Sequence, residues 1–120
     1  MPKITAKVAE SKAGPACVVT FGNPKLVDAD VIAEVGKRLT SLLDEKMQRR
    51  IVLDFEGVTS VSSAMMGELI RLHAKLKTVP GGKIVLCNFD DRMAKLLKMT
   101  KLDKVLTIAD DTDAALAKFK

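Results

Sequence analysis

The feature that most constrains the fold is a run of three apolar residues, Ile51-Val52-Leu53, that ends at Asp54. A strand with one solvated face alternates apolar and polar residues, because successive side chains point to opposite faces of the sheet. This run does not alternate, so it is predicted to be a central strand that is covered on both faces. A sheet covered in this way needs packed helices, and the chain is therefore predicted to be an α/β protein.

Turn signals and apolar spacing divide the rest of the chain into strands and helices. The turn residues of Ser11-Lys12-Ala13-Gly14-Pro15 predict an N-terminal β-hairpin, and Gly22-Asn23-Pro24 is predicted to end its second strand. Helices and strands alternate after the hairpin, so this part of the sheet should be largely parallel with right-handed crossovers. The predicted strands are 4–9, 16–21, 51–54, 83–87 and 105–108, and the predicted helices begin near Asp28 or Asp30, at Ser63, after Asp90 and after 110–113.

The predicted architecture is a single domain over residues 1–120, with a mixed β-sheet and about four helices packed on it. The chain has no internal repeat and no linker long enough to divide it. Apolar residues make up 48% of the sequence and aromatic residues only 3%, without Trp or Tyr. We therefore expect a core of aliphatic side chains.

The two cysteines and the N-terminus favour a cytoplasmic protein. Cys17 and Cys87 each lie inside an apolar run that is predicted to be a strand, which is typical of small, reduced core residues. The first ten residues lack the apolar segment of a signal peptide. No apolar run approaches the roughly 20 residues that a membrane-spanning helix needs, so no membrane insertion is expected.

The net charge of +5 does not by itself predict nucleic-acid binding. Basic residues are spread along the chain, and the densest clusters are Arg49-Arg50 and the pair Lys75 and Lys77. Neither cluster has flanking aromatic residues on which bases could stack. Solvated helix faces are the favoured interpretation, and the charge could also steer an acidic partner towards the protein.

The sequence lacks the residue patterns of the common catalytic and metal sites. His73 is the only histidine, and it follows Ser63 by ten residues on one predicted helix. At 1.5 Å per residue the two are about 15 Å apart, too far for a nucleophile and its base. Cys17, Cys87 and His73 lack metal-ligand spacing, and no phosphate-binding loop motif is present. We expect neither an enzyme nor a cofactor or metal.

A serine pair, Ser62-Ser63, stands where the loop after Asp54 leads into a predicted helix. Free backbone N–H groups and the positive end of the helix dipole make a helix N-terminus favourable for a phosphate. A modified or recognised serine is therefore one interpretation. An ordinary N-cap is the other, because serine is a preferred capping residue. Ser62 and Ser63 are both candidates for the cap, and the two roles are compatible.

The order of these segments resembles the STAS domain family, the anti-sigma factor antagonists. Residues 51–54 resemble the family's apolar strand that ends in Asp, and residues 61–67 resemble its Asp-Ser-Ser-Gly-Leu-Gly loop and helix start. Residues 81–88 resemble its Gly-bounded fourth strand, and Leu97, Thr100, Leu102 and Val105 resemble the stretch before its last strand. The likeness covers residues 15–119. Here Ser62 replaces the family's loop Asp, and Met65 replaces its first Gly.

The resemblance implies a protein-binding module that is switched by phosphorylation. Its phosphoacceptor would be Ser63, with Ser62 as the alternative. The unphosphorylated form would sequester an anti-sigma factor that is also a serine kinase with an ATP pocket, and a phosphatase would restore that form. Members of the family also act as unphosphorylated docking subunits of transport systems or larger signalling assemblies, and this is the second function that the resemblance implies.

Three further residues are candidates around the serines. Asp54 either supports the serine loop through hydrogen bonds or simply ends a buried strand at the solvent boundary. Met66 and Ile70 lie beside the core stripe of the second helix, where they form either an exposed apolar edge for a partner or the periphery of the core.

The edge strand of the N-terminal hairpin could support a homodimer.

Overall fold

A computed structural model describes residues 4–11, 14–22, 25–44 and 49–119. The centre of the predicted hairpin turn, Lys12-Ala13, and the predicted strand end at Asn23-Pro24 lie outside these residues. In chain order the elements are β1 (Ile4–Ser11), β2 (Gly14–Phe21), β3 (Lys25–Leu26), α1 (Ala29–Asp44), β4 (Arg50–Asp54), β5 (Ser60–Val61), α2 (Ser63–Lys77), β6 (Lys83–Cys87), α3 (Asp91–Met99), a 3-10 turn (Leu102–Lys104), β7 (Thr107–Ala109) and α4 (Thr112–Ala117).

Five strands form the main sheet in the order β1-β2-β4-β6-β7. β1 and β2 are antiparallel, as the predicted hairpin requires, and all later neighbours are parallel. β4 lies at the centre of the sheet, and the side chains of Ile51, Val52 and Leu53 are fully buried. The predictions of a mixed sheet and of a central strand covered on both faces are confirmed.

The helices cover the two faces of the sheet unequally, with three on one face and one on the other. β2, β4, β6 and β7 follow one another in one direction across the sheet, so crossovers of one hand place α1, α2 and α3 on the same face. These three helices bury one large apolar cluster against that face. The opposite face is covered by α4 and Phe119, which pack on Val52, Val85 and Ala109.

The structure corrects the strand predictions in two places. β3 and β5 form a separate parallel pair that the sequence did not predict, because two residues are too few to show a period. The last strand, predicted at 105–108, is β7 at Thr107–Ala109. Val105 instead closes the 3-10 turn and is 50% exposed.

Most buried positions are aliphatic, as predicted, and Phe21, Phe55 and Phe119 are buried among them. Met65, Leu69, Leu72 and Leu76 form the buried stripe of α2, as expected. Cys17 and Cys87 are both free and buried. Among the described residues, no helix combines the length and the apolar character that crossing a membrane requires.

Candidate functional site

The serine pair lies at the N-terminus of α2, and Ser62 is the residue that caps the helix. Its backbone is extended, with φ −84° and ψ 168°, and its hydroxyl oxygen accepts a 3.3 Å hydrogen bond from the Met65 amide. The helix begins at Ser63. The N-cap interpretation therefore applies to Ser62, and it does not apply to Ser63.

The short β3–β5 pair holds this helix start in place. Leu26 on β3 is opposite Val61 on β5, and the Ser62 amide donates a 3.1 Å hydrogen bond to the Leu26 carbonyl. Both serines are thereby fixed relative to the strand that precedes α1. The backbone that carries the Ser63 hydroxyl is therefore anchored on the sheet.

Ser63 is exposed, and the first turn of α2, which begins at this residue, contains no acidic residue. Within the described residues, no hydrogen bond engages the Ser63 hydroxyl. The amides of the first helical turn and the helix dipole give this position a positive potential. An anion on Ser63 would therefore be stabilised by the helix that carries it.

The loop before the serines is anchored by aromatic packing. Phe55 is fully buried, with its ring 5.1 Å from the Phe21 ring and 4.7 Å from the Phe89 ring, measured between centroids. The Phe55 amide donates to the Cys87 carbonyl at 2.9 Å, and Val58 is buried as well. The connection from β4 to the serines is therefore a packed segment.

Asp54 contributes to this segment at the end of β4. Its Oδ1 accepts hydrogen bonds from the Glu56 amide at 3.0 Å and from Asn88 Nδ2 at 2.8 Å. Neither bond reaches Ser62 or Ser63. Asp54 thus holds the turn after β4, and its connection to the serines runs through the loop.

Asn88 is the site residue that sequence reasoning missed. It follows β6 with a positive φ of 61°, a conformation that Asn tolerates better than most residues. Asp54 is opposite Cys87 in the parallel ladder, so the residue after Cys87 lies beside the end of β4. A polar residue directly after the neighbouring strand was the available signal. An open cleft of about 330 Å³ lies beside Asn88, with Phe55, Gly57, Phe89 and the acidic Glu56, Asp90 and Asp110 among its lining residues.

The predicted apolar edge on α2 is only partly present. Met66 is 8% exposed and belongs to the core cluster, so of the two interpretations the core applies to this residue, and its assignment to an exposed partner-binding edge is wrong. Ile70 is 37% exposed. It shares a helix face with Ser63 and Gly67, because the three are spaced i, i+4 and i+7. The buried stripe on α2 is wide enough to include Met66, so this side chain does not lie at the surface.

His73 lies on the same helix as Ser63, and the ten-residue separation leaves the two side chains about 15 Å apart along the axis. Partial burial, with a smaller contribution from Lys77, lowers the pKa of His73. Among the described residues, no three His, Cys, Asp or Glu side chains are grouped so that they could hold a metal ion.

The sequence profile of the STAS domain matches residues 7–115. One relative, BtrV of Bordetella bronchiseptica, carries the name of an anti-sigma factor antagonist. It is 26% identical over 103 residues, which cover 86% of this chain and 80% of that protein.

Solved structures share the fold at low sequence identity. An anti-sigma-factor antagonist (STAS) domain protein from Planctomyces limnophilus has a TM-score of 0.75 at 20% identity, covering 92% of this chain and 93% of its own. Phosphorylated SpoIIAA from Bacillus has a TM-score of 0.65 at 16% identity, covering 92% and 96%. A sulfate transporter family protein from Wolinella succinogenes has a TM-score of 0.64 at 20% identity, covering 82% and 80%.

Proposed function

This chain belongs to the STAS domain family, and we propose that it is an anti-sigma factor antagonist whose partner binding is switched by phosphorylation of Ser63. The observation that carries the proposal is that the two serines have different structural roles. Ser62 caps α2, whereas Ser63 is exposed at the first helical position. One hydroxyl maintains the helix, and the other is available for modification.

The same geometry favours Ser63 over Ser62 as the phosphoacceptor. A phosphate on Ser62 would have to displace or replace the hydrogen bond that its hydroxyl accepts from the Met65 amide. A phosphate on Ser63 leaves that bond intact. Ser62 stands where the resemblance expects an Asp, and Asp and Ser are similarly good N-caps. The substitution therefore keeps the cap and removes one negative charge beside the acceptor.

Phosphorylation at Ser63 should preserve the fold. The phosphate adds about 1.5 to 2 negative charges at neutral pH. The helix N-terminus stabilises an anion, and the first turn of α2 has no acidic residue to repel it. Among the structures of this fold, one is of SpoIIAA in its phosphorylated form, which supports the compatibility of the fold with such a group.

Phosphorylation should abolish binding to a partner that covers the exposed face of α2. Ser63, Gly67 and Ile70 lie along this face, and a Cβ added at Gly67 would meet no atom within 4 Å. A partner can therefore approach the helix backbone closely at Gly67. A phosphate buried in that contact would lose its hydration and repel any facing carboxylate.

The proposed partner is an anti-sigma factor with serine kinase activity and an ATP-binding pocket. The unphosphorylated form would sequester it, and a phosphatase would regenerate this form. The name of the relative BtrV supports the assignment. The likeness to a sulfate transporter family protein keeps a second function open, namely a constitutive docking subunit that is not phosphorylated.

The test has two parts, phosphopeptide mapping and binding. The protein is isolated from its own cells in growth and under stress, with Ser63→Ala as the control, and the 62–63 peptide is examined for phosphate. Binding to the anti-sigma factor encoded in its genomic neighbourhood is then measured for the wild type, Ser63→Glu and Ser63→Ala. We expect phosphate on Ser63 that changes with condition, lost binding for the folded Ser63→Glu protein, and retained binding for Ser63→Ala.

An unmodified peptide in every condition, together with full binding by Ser63→Glu, would reject the switch and favour the docking subunit. Circular dichroism of Ser63→Glu separates lost binding from lost folding. Gly67→Ala is a second probe that adds a methyl group to the proposed contact face without adding charge.

A further inference from the structure

Helix α3 and the turn after it leave three large apolar side chains uncovered. α3 packs on the core through Met93 and Leu97, which are buried. On its outer side Met99 is 81% exposed and Leu96 is 38% exposed, and Val105 after the 3-10 turn is 50% exposed. Isolated exposed apolar residues are ordinary, but three in ten consecutive residues on one segment form a local group.

Five cations accompany these side chains at every third position, namely Arg92, Lys95, Lys98, Lys101 and Lys104. All five are exposed, and within the described residues none of them forms an ion pair. We refer to the three apolar residues and these five cations as the α3 surface. Asp91 and Asp103 are the acidic residues of the same stretch, so residues 91–105 carry five positive and two negative side-chain charges, a net +3.

The cations and the apolar side chains interleave on the outside of α3. Leu96 follows Arg92, and Met99 follows Lys95, by four residues, so each apolar side chain lies one helical turn from a cation. Lys101 has a positive φ of 61°. This left-handed conformation changes the direction of the chain after α3, just before the 3-10 turn that leads to Val105.

We propose that the α3 surface binds peripherally to an anionic lipid bilayer. Interfacial segments of this kind place a few apolar side chains among the headgroups while lysines remain at the level of the lipid phosphates. Anionic headgroups attract basic segments in this way. The absence of ion-pair partners for the five cations in the described part of the chain leaves their charge available for such a surface.

An acidic protein is a less suitable occupant for this surface. The cations are distributed around the apolar side chains, and a continuous anionic plane can meet all of them together. Met99 protrudes into solvent with four-fifths of its surface accessible. A protruding side chain fits a deformable headgroup layer without a matching pocket.

Bilayer contact through the α3 surface is compatible with the serine site and does not depend on its proposed function. Ser63 begins α2 after the carboxyl end of β4, whereas α3 starts after the carboxyl end of β6 and runs back towards the other end of the sheet. Met99 and Val105 therefore lie at the opposite end of the strands from Ser63. A bound molecule would present Ser63 towards soluble partners.

Cosedimentation of the 120-residue chain with lipid vesicles tests the proposal. The vesicles are phosphatidylcholine alone, or phosphatidylcholine and phosphatidylglycerol in equal parts, each at low and high salt. We expect binding to the anionic vesicles that weakens with salt, and little binding to the neutral ones. The variants are Met99→Ser/Val105→Ser for the apolar contribution and Lys95→Gln/Lys98→Gln/Lys104→Gln for the charge.

Matched controls separate the α3 surface from general properties of the chain. Val8→Ser changes an apolar residue that is 65% exposed on β1, and Lys37→Gln changes an exposed lysine on α1. We expect a loss of about fivefold in the partition coefficient for each α3 lysine removed, and of about tenfold for the apolar double variant. The controls and Ser63→Glu should bind like the wild type, apart from the small effect of net charge.

Three outcomes would overturn the proposal. One is no binding to anionic vesicles at low salt. Another is a loss for Lys37→Gln as large as the average loss per lysine in the triple α3 variant, which would indicate binding through net charge only. The third is unchanged binding of Met99→Ser/Val105→Ser combined with equally tight binding to soluble polyglutamate, which would identify an acidic protein as the occupant.

Discussion

Asp54 Oδ1 accepts a 2.8 Å hydrogen bond from the side-chain amide of Asn88, and this bond joins the ends of β4 and β6. The two residues are 34 positions apart in the sequence. The same oxygen accepts from the Glu56 amide, so one carboxylate holds both the turn after β4 and the loop after β6. The serine loop follows directly from this turn, and the bond therefore contributes to the position of the site.

Asp54→Ala should destabilise the protein by about 1.5 to 3 kcal/mol, because hydrogen bonds to a charged group contribute about this much. Urea unfolding measures the change. Asn88→Gly is the matched variant, since glycine adopts positive φ without strain and loses only the side-chain bonds, the one to Asp54 and a longer one of 3.4 Å to Thr112 Oγ1. Asn88→Ala should be less stable than Asn88→Gly by about 1 kcal/mol. The reverse order would contradict the left-handed conformation of residue 88.

Ser62→Ala should cost about 1 kcal/mol of stability, the typical contribution of an N-cap serine. Ser63→Ala should change the free energy of unfolding by no more than about 0.5 kcal/mol, as an exposed substitution without partners. Thermal or urea unfolding of both variants distinguishes the two serines. A larger loss for Ser63→Ala than for Ser62→Ala would show that the cap is at Ser63.

Gly67→Ala should stabilise α2 by about 0.5 to 1 kcal/mol, because glycine is a poor helix former and the added Cβ would meet no atom within 4 Å. Gly36→Ala in α1 should gain less, since its Cβ would approach Glu68 Oε2 to 2.7 Å and the carboxylate would have to move. The free energies of unfolding of the two variants give the comparison. Equal gains would indicate that the Glu68 side chain moves away at no cost.

His73 should make the protein less stable in mild acid. Folding lowers the pKa of His73 below 6.5, because burial disfavours the imidazolium and Lys77 repels it. The unfolded state therefore binds the proton more tightly, and stability falls as the pH decreases through 6.5 towards the lower folded pKa. His73→Gln should show a smaller decrease in melting temperature across this range than the wild type. Parallel curves for the two proteins would contradict the lowered pKa.

The thiols of Cys17 and Cys87 should react slowly in the native protein. Burial raises the pKa of both, that of Cys87 to about 11, and the thiolate is the reactive form. At neutral pH a thiol reagent should label neither residue until urea unfolds the chain, and then label both. Because folding raises these pKa values above 9, stability should also decrease as the pH rises from 9 towards 11. Fast labelling of the folded protein would contradict this prediction.

The sequence by itself determined the elements whose signals are local. α2 was predicted at its observed bounds, 63–77, because the apolar spacing of Met65, Leu69, Leu72 and Leu76 is regular and Pro80-Gly81-Gly82 follows it. β6 was predicted at 83–87 for a similar reason, since its apolar run stands between glycines and a polar segment. The backbone conformation of such segments depends on residues close in sequence, so the sequence alone is sufficient to predict them.

Tertiary structure decided the features that depend on residues distant in sequence. The Leu26 carbonyl accepts a hydrogen bond from the Ser62 amide, and this bond helps to place the N-cap at Ser62. β6 brings Asn88 within hydrogen-bond distance of Asp54. The packing around α2 widened its buried stripe to include Met66, which left Ile70 beside Ser63 as the exposed apolar residue of the site. Helical spacing specifies which side chains share a face, but how much of that face is buried depends on the neighbouring elements that cover it.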